Sequence, residues 1–295
     1  MLWVILAITA AGFQALRFML QKKLSMAALS AGGATWARFV YAAPFAIGVT
    51  LVYMAVTGTP LPALGLRFWG FAMLGGLAQI LATWAVVALF ARRNFAVGIT
   101  FKKTEVLQAA LVGFVVLGDR VSAAGLVAIA LGTLGVVVLS GTRGLGGRDM
   151  LNRAAGMGLL AGALFAVSAV TYRGAVLAVP GDAFFRAVLT LSVVTLSQTL
   201  AVSAWLWRAQ PGQITATLAA WPSAIWIGLA GVMGSIGWFA AFALQNAAYV
   251  FAVGQIEVIF SILIGRFFFG ERLSAREGLG IALVTVSILA LVLYG

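Results

Sequence analysis

Long apolar segments alternate with short polar connections along the whole chain. Ten of these segments are long enough, at about 20 residues, to cross the hydrocarbon core of a bilayer as helices. Gly, Pro and charged residues separate them, as at Gly58-Thr59-Pro60 and Pro180-Gly181-Asp182. The predicted helices cover residues 2–20, 31–56, 68–90, 95–117, 122–140, 154–178, 183–207, 222–245, 249–269 and 275–294. The pattern therefore predicts an all-α polytopic membrane protein.

One part of the chain recurs at a constant offset of 152 positions. Residues 94–122 align without a gap to residues 246–274, so that Glu105 meets Glu257 and Asp119 meets Glu271. The identities in this alignment are Asn94 with Asn246, Gly113 with Gly265, Gly118 with Gly270, Arg120 with Arg272 and Ser122 with Ser274. Because the chain has only seven acidic residues, two acidic pairs in one register indicate a duplication.

The duplication predicts the organisation of the protein. The first repeat covers residues 1–141, a connecting loop covers 142–152, and the second repeat covers 153–295, all within one integral membrane domain. Each repeat contributes five helices, and this odd number turns the second repeat upside down relative to the first. Inverted repeats are typical of secondary transporters, whose substrate site lies near the membrane midplane between the two halves.

Composition excludes several classes of function. The chain is 63% hydrophobic and 9% charged, whereas a soluble domain has about 25% charged residues. It contains no Cys and no His, which excludes disulfides, the usual zinc sites and a His-based catalytic triad. A primary pump would need a GxxxxGK[ST] loop, and the sequence has none. We therefore predict that the protein is not an enzyme and uses neither metal nor cofactor.

The net charge of +12 is scattered among short connections and forms no basic face, which argues against nucleic-acid binding. Lys and Arg concentrate in the connections that follow the first, third, fifth, seventh and ninth predicted helices. By the positive-inside rule these connections are cytoplasmic and both termini are extracytoplasmic. We expect a bacterial-type plasma (inner) membrane protein that is functional as a monomer, with a small-molecule substrate and membrane lipids as its partners.

Two carboxylates occupy equivalent places inside predicted helices. Glu105 and Glu257 both lie near mid-membrane, where an isolated carboxylate costs about 3 kcal/mol or more. Lys102 precedes Glu105 by one helical turn, and Lys103 lies close by. We predict a substrate cavity lined by Lys102, Lys103 and Glu105 from one half and by Gln255 and Glu257 from the other. The alternative is structural: an ion pair between Lys102 and Glu105, with Glu257 held by a buried donor.

Further candidates lie in the helices that flank this cavity. Trp84 and Trp238 stand inside predicted helices and are able to stack on a substrate, and Gln79 adds a polar group, although ordinary packing is the favoured interpretation of both tryptophans. Glycines in the same two helices provide hinges, or else close helix packing. The candidate hinge positions are Gly75, Gly76, Gly231 and Gly234.

The remaining charged candidates lie at predicted helix ends. Asp119 and Glu271 occupy Gly-acid-Arg turns, where the Gly ends one helix and the acid favours the start of the next, so we predict a structural role. Arg38 and Arg186 stand near the starts of predicted helices, and such long side chains usually extend to the membrane interface. Contact of either arginine with a substrate carboxylate is the alternative.

Ten helices in two repeats, together with Leu117-Gly118-Asp119-Arg120 and its counterpart Phe269-Gly270-Glu271-Arg272, resemble the drug/metabolite transporter superfamily. Within it the chain is similar, over its whole length, to the EamA-like ten-helix branch. The resemblance implies export of amino acids and other metabolites. The chain departs from the family pattern where many members have a Pro in the middle of the fourth helix, since Lys102-Lys103-Thr104-Glu105 stands there instead.

The sequence thus predicts a secondary transporter that exports small metabolites, with amino acids as the first expectation, by alternating access around a midplane cavity. A lipid or lipid-linked-sugar flippase is the alternative, and a multidrug or other metabolite exporter of the same fold is a further one. A flippase would need a lateral opening toward the bilayer.

Overall fold

The computed structural model describes residues 1–27, 29–90, 101–139, 153–260 and 275–294, and every regular element in these ranges is helical. The helices are α1 (Leu2–Ala27), α2 (Ala31–Val40), α3 (Ala43–Thr57), α4 (Leu66–Phe90), α5 (Glu105–Leu117), α6 (Ala123–Leu139), α7 (Arg153–Leu177), α8 (Ala183–Ala209), α9 (Gln213–Ala219), α10 (Trp221–Leu244), α11 (Ala247–Gly254) and α12 (Ala275–Tyr294). The predicted all-α architecture is confirmed over the described ranges.

Within the described ranges, six helical stretches are long and apolar enough to cross a membrane, which identifies a multi-pass membrane protein. They are Leu2–Met26, Ala31–Thr57, Leu66–Phe90, Arg153–Leu177, Ala183–Ala209 and Trp221–Leu244. Four shorter apolar helices lie where the sequence predicts the other spans: Glu105–Leu117, Ala123–Val138, Ala247–Phe260 and Gly278–Tyr294.

The distribution of side-chain size fits a protein surrounded by lipid. Large apolar residues such as Val56, Leu66 and Val115 are more than two-thirds exposed on the outer face. Alanine and glycine dominate the helix contacts inside, as at Ala10, Ala72 and Gly237. Small residues let membrane helices approach closely, which replaces the hydrophobic driving force available in water.

Local signals set several helix ends. Ser30 caps α2 by accepting a hydrogen bond from the backbone N–H of Gly33 at 3.1 Å. The second predicted span is divided into α2 and α3 at Tyr41 and Ala42, just before Pro44, which cannot donate a backbone hydrogen bond. The short helix α9, which packs against α2, is not among the helices predicted from the sequence.

Pairs of helices surround a common interior. The most extensive contacts join α4 with α7, α1 with α10, and α6 with α12. The main core runs through α1, α4, α7, α8, α10 and α11, and it includes Tyr172, Phe185 and Phe239. The polar residues described next are enclosed by this same set of helices together with α2 and α5.

Candidate functional site

Two helices are interrupted at positions that the sequence repeat makes equivalent. Residues 101 and 102 are helical, Lys103 and Thr104 form a turn, and α5 begins at Glu105. In the second half α11 ends at Gly254, Gln255 forms a turn, and the chain is helical again over 256–260. Lys103 and Gln255 are separated by the same 152 positions as Glu105 and Glu257. Both interruptions form without a Pro.

The interruptions bring buried charges together. Lys102 Nζ donates to Glu105 Oε1 at 2.8 Å, within the first half. Lys103 Nζ donates to Glu257 Oε2 at 2.9 Å, and so joins the two halves. Gln14 Nε2 in α1 donates to the same Oε2 atom at 3.0 Å. The structural alternative in the sequence analysis, a Lys102–Glu105 pair with Glu257 held by a buried donor, therefore describes the contacts that are present.

Aromatic rings and close backbone packing enclose Lys102. Its Nζ lies 4.8 Å from the centroid of the Phe165 ring and 5.9 Å from that of Phe18. The electron-rich faces of such rings attract a cation. On the backbone side, a Cβ at Gly162 of α7 would lie 2.8 Å from the Lys102 carbonyl oxygen. Only glycine allows α7 to approach the interruption this closely.

A cavity of about 30 Å³ lies between helices of both halves. Its polar lining comes from Gln14, Arg38, Gln79, Ser168, Tyr172 and Ser235. Its aromatic lining comes from Phe165, Trp238, Phe239, Phe242 and Phe251. This volume has room for a water molecule or two but not for an amino acid. The described conformation is therefore closed around the cavity.

A hydrogen-bond network borders the cavity on the side of α4, α7 and α8. Tyr172 donates its hydroxyl to Gln79 Oε1 at 3.1 Å. Gln198 Nε2 lies within 3.2 Å of three acceptors: the Gly76 carbonyl, Gln79 Oε1 and the Tyr172 hydroxyl. The Oε1 atom of Gln198 is buried and has no hydrogen-bond partner among the described residues. The network holds Gln79 at the cavity, where the sequence analysis expected it.

Arg38 does not extend to the membrane interface, contrary to expectation. Its side chain is 5% exposed, lines the cavity, and donates from Nη1 to Thr83 Oγ1 at 2.8 Å. The expectation came from treating Arg38 as the end of a span. In the structure α2 and α3 together form that span, and packing against α4 and α10 covers the guanidinium.

Arg17 in α1 is a buried charge that sequence reasoning missed. It is 2% exposed, donates to Gln21, and lies over the ring of Phe18 at 4.1 Å from its centroid. Gln14, Arg17 and Gln21 are spaced three and four residues apart, which places them on one face of a helix. That spacing within an apolar segment is the signal that would have revealed them. Tyr172 and Gln198 are uncharged and carried no comparable signal.

The structure separates the two tryptophan candidates. Trp238 is 8% exposed, lines the cavity, and packs against Phe242 and Phe251 with ring centroids 6.2 and 5.7 Å away. Its indole Nε1 is buried with no acceptor among the described residues. Trp84 is 42% exposed and lies instead on an outer groove. Only Trp238 is placed to meet a substrate in the central cavity.

Gln255 is buried but does not line the central cavity. Its amide lies toward α6, since a Cβ at Gly132 would be 3.9 Å from its Oε1 atom. Neither polar atom of this amide has a hydrogen-bond partner among the described residues. The cavity lining thus includes Gln79 and Trp238 from the predicted set, and Gln14 connects the Lys103–Glu257 pair to it.

The four candidate hinge glycines all lie at helix contacts. A Cβ at Gly75 would lie 2.6 Å from Thr171 Oγ1, and one at Gly76 would lie 3.6 Å from Gln198 Cγ. At Gly231 the nearest atom is Arg17 Cδ at 3.5 Å, and at Gly234 it is Phe13 Cβ at 3.3 Å. Close helix packing accounts for Gly75 most directly, since any side chain there would collide with α7. Hinge motion remains a prediction.

Asp119 lies in the turn that follows α5. Gly118 adopts the left-handed conformation, with φ of 71°, that ends helices, and the Asp119 N–H donates to the Gly113 carbonyl at 3.1 Å. The Asp119 carboxylate accepts a hydrogen bond from Arg173 Nε at 2.9 Å. The carboxylate of Asp119 is therefore hydrogen-bonded to a residue of α7. The equivalent Glu271 lies outside the described residues.

An apolar groove of about 380 Å³ opens on the outer face between α2, α4 and α8. Leu77, Ile80, Trp84 and Trp205 line it. A second space of about 100 Å³ adjoins it along α4 and α8 and reaches Gln198. The Gln79–Tyr172–Gln198 network thus stands between this outer groove and the central cavity.

Among the described residues, no three His, Cys, Asp or Glu side chains gather as a metal site would require. Comparison with known proteins identifies no matching family model and no matching curated protein. Solved structures do match. One, described only as "Crystal structure of protein", is 18% identical to this chain and has a TM-score of 0.66. The match covers 98% of this chain and 99% of that one. What the two share is the fold. At this identity the likeness carries no information on substrate.

Proposed function

We propose that this protein is a secondary transporter that exports small metabolites, amino acids first among them, by alternating access around the central cavity. One observation carries the proposal. Two equivalent helix interruptions are joined by a buried Lys103–Glu257 ion pair beside a polar and aromatic cavity. Secondary transporters place interrupted helices at their substrate sites, because the freed polar groups face a cavity rather than lipid.

The proposal includes ten membrane spans arranged as two inverted five-helix repeats, with the boundaries predicted from the sequence. The packing pattern supports it. In the proposed repeat, helices α1, α4, α5 and α6 correspond to α7, α10, α11 and α12. When corresponding helices are exchanged, the α4–α7 contact becomes the α10–α1 contact, and the α5–α7 contact becomes the α11–α1 contact. The α6–α12 and α5–α11 contacts turn into themselves. Unrelated halves would have no reason to pack in this way.

We assign the protein, as part of the same proposal, to the EamA-like branch of the drug/metabolite transporter superfamily. Its support is the resemblance of the Gly-acid-Arg turns and the repeat. We also propose that the protein lies in the inner membrane with both termini extracytoplasmic. The distribution of Lys and Arg supports this orientation. Opening the cavity to one side and then to the other requires movement at the contact between the halves, where Lys103 and Glu257 meet.

The proposal is tested with purified protein in liposomes. We would measure uptake of a panel of labelled amino acids and other small metabolites, with and without an imposed pH gradient. The expected result is saturable uptake by the wild type, loss in Glu257→Gln and Glu105→Gln, and retention in Asp182→Asn, which removes an exposed carboxylate. Dependence on the gradient would identify Glu105 or Glu257 as the proton carrier. Full activity in both glutamate variants would refute their roles.

A lipid flippase is a second candidate, and the outer groove favours it. The groove is apolar, faces the bilayer and approaches the central cavity at Gln198. A lipid tail lying there would keep its headgroup near the polar network. The test is translocation of fluorescent phospholipids in the same liposomes. Lipid movement without uptake of any metabolite would replace the export proposal, and Ala201→Phe, which places a ring at an exposed position of the groove lining, would then block it.

A further inference from the structure

Two buried arginines lie side by side next to the central cavity. Arg17 of α1 and Arg38 of α2 are 2% and 5% exposed. Both pack against Gly231 of α10, where a Cβ would lie 3.5 Å from Arg17 Cδ and 3.6 Å from Arg38 Cγ. The side chain of Arg38 lines the cavity directly, and Arg17 lies beside it.

Neither arginine is paired with a carboxylate in the described part of the chain. Arg38 donates to the Thr83 hydroxyl and Arg17 to the amide of Gln21, while Arg17 Nη2 has no acceptor among the described residues. The buried cations Lys102, Lys103 and Arg173 differ, because each of them forms an ion pair. Among the described side chains around the cavity, positive charges therefore outnumber carboxylates.

The two buried carboxylates are already engaged. Glu105 accepts from Lys102, and Glu257 accepts from both Lys103 and Gln14. An ammonium group of a substrate would have to displace a lysine to reach either of them. A substrate carboxylate meets the opposite situation, since neither guanidinium group forms an ion pair among the described residues. Glu257 attracts Arg17 only from a longer distance. Guanidinium binds carboxylate through paired, charge-assisted hydrogen bonds.

The cavity supplies a further donor and an apolar wall. Trp238 lines the cavity, and its Nε1 atom is buried with no acceptor in the described structure. Together with Arg38 it offers N–H groups to an anion. The aromatic rings that line the cavity suit an apolar substrate body.

We propose that the cavity binds small organic anions through Arg38 and Trp238, with Arg17 adding a second positive charge, and that a substrate amino group is not needed. This inference rests on the proposed transport function and narrows its substrate class from amino acids to organic acids. The anion would balance the positive charge of the buried arginines. Uncompensated charge is energetically costly in the low-dielectric interior of a membrane protein. The cavity must open to admit it.

The experiment compares three ligands with one carbon skeleton: leucine, its deaminated acid and its decarboxylated amine. Binding to the full-length wild type in lipid nanodiscs is measured by calorimetry. The acid is expected to bind about tenfold or more tightly than leucine, and the amine to show no saturable binding, since only the acid has charge opposite to that of the site. Equal or tighter binding of the amine or of leucine would overturn the inference.

Substitutions then locate the site. Arg38→Gln is expected to weaken acid binding about tenfold or more and Arg17→Gln by a smaller factor, while Arg38→Lys retains part of the affinity. Arg67→Gln is the matched control, because Arg67 is an exposed arginine. Unchanged affinity in Arg38→Gln would refute the site. If that variant does not fold, Trp238→Phe, which removes the Nε1 donor, tests the same contact and is expected to weaken acid binding.

Transport of the same three ligands in liposomes separates this inference from the proposed function. Binding of the acid without uptake of any ligand would refute transport and leave the anion site standing. Uptake of leucine or the amine with no preference for the acid would refute the anion site and leave transport standing.

Discussion

Lys103 and Glu257, 154 residues apart, form an ion pair of 2.9 Å that joins the two interrupted helices. The exposed fraction of each side chain is small, 5% for Lys103 and 12% for Glu257. The pair places one charge from each half at the same point beside the cavity. Any movement that opens the cavity between the halves must keep this contact or break it.

The first prediction concerns this pair. Lys103→Gln and Glu257→Gln each break the ion pair and leave the opposite buried charge less compensated, and each should lower the free energy of unfolding by about 3 kcal/mol. The double variant removes both charges and should lose less than the sum of the two. Unfolding in a denaturing detergent, followed by circular dichroism, gives the three values. Strictly additive losses would mean that the two side chains do not interact.

The second prediction concerns the fit between Gly254 and Trp238. A Cβ at Gly254 would lie 2.3 Å from Trp238 Cη2, so Gly254→Ala must displace the indole and should cost about 1–3 kcal/mol. Trp238→Phe removes the colliding part of the ring and should rescue much of that loss. Gly48→Ala serves as the control, since nothing lies within 4 Å of its Cβ position. Thermal unfolding of Gly254→Ala, Trp238→Phe, their double variant and Gly48→Ala measures the effect, and equal melting temperatures for Gly48→Ala and Gly254→Ala would contradict it.

The third prediction concerns Arg173, which ties three segments together. Besides its pair with Asp119, Arg173 donates from Nη1 to the carbonyls of Phe242 and Gln245 at 2.6 and 2.8 Å. Arg173→Lys keeps the charge but loses the fork of donors, and should lower stability by about 2 kcal/mol. Arg208→Lys, at an exposed end of α8, should change little. A similar melting temperature for both variants would argue against a stabilising role of the Arg173 hydrogen bonds.

The fourth prediction concerns Asp182, which caps α8. Its Oδ1 accepts from the N–H groups of Phe184 and Phe185 at 2.8 and 3.0 Å, and its Oδ2 accepts from the Tyr53 hydroxyl. The hydrogen bond from Tyr53, followed by the backbone N–H groups, lowers the pKa of Asp182 below its usual 3.8. The resulting stability is present above the unfolded pKa and is lost as the pH falls through the folded pKa.

Two substitutions separate charge from capping at this position. Asp182→Asn keeps an N-cap acceptor but cannot titrate, so its melting temperature should fall less steeply than that of the wild type below about pH 4. Asp182→Ala should cost about 1 kcal/mol at neutral pH through loss of the cap. Melting curves over this acidic range test both. A wild-type slope in Asp182→Asn would show that other groups govern the acid response.

Several features followed from the sequence because their causes are local or repeated. Apolar length predicts where helices run, since a bilayer leaves no other way to satisfy the backbone of a spanning segment. Gly118 and Asp182 act at helix ends through their own backbone or side-chain geometry. The repeat aligned Glu105 with Glu257, and each of these carboxylates has a lysine partner in the structure.

Tertiary packing decided which of those residues meet. Trp84 and Trp238 look alike in the sequence, yet only Trp238 lies at the cavity, because the rotation of each helix depends on the neighbours that cover it. Arg38 is buried for the same reason, and Lys103 reaches Glu257 rather than Glu105 because α5 and α11 pack together. The charge on each residue is a property of the sequence. Whether the charged group contacts an opposite charge, lipid or the cavity depends on contacts between segments far apart in the chain.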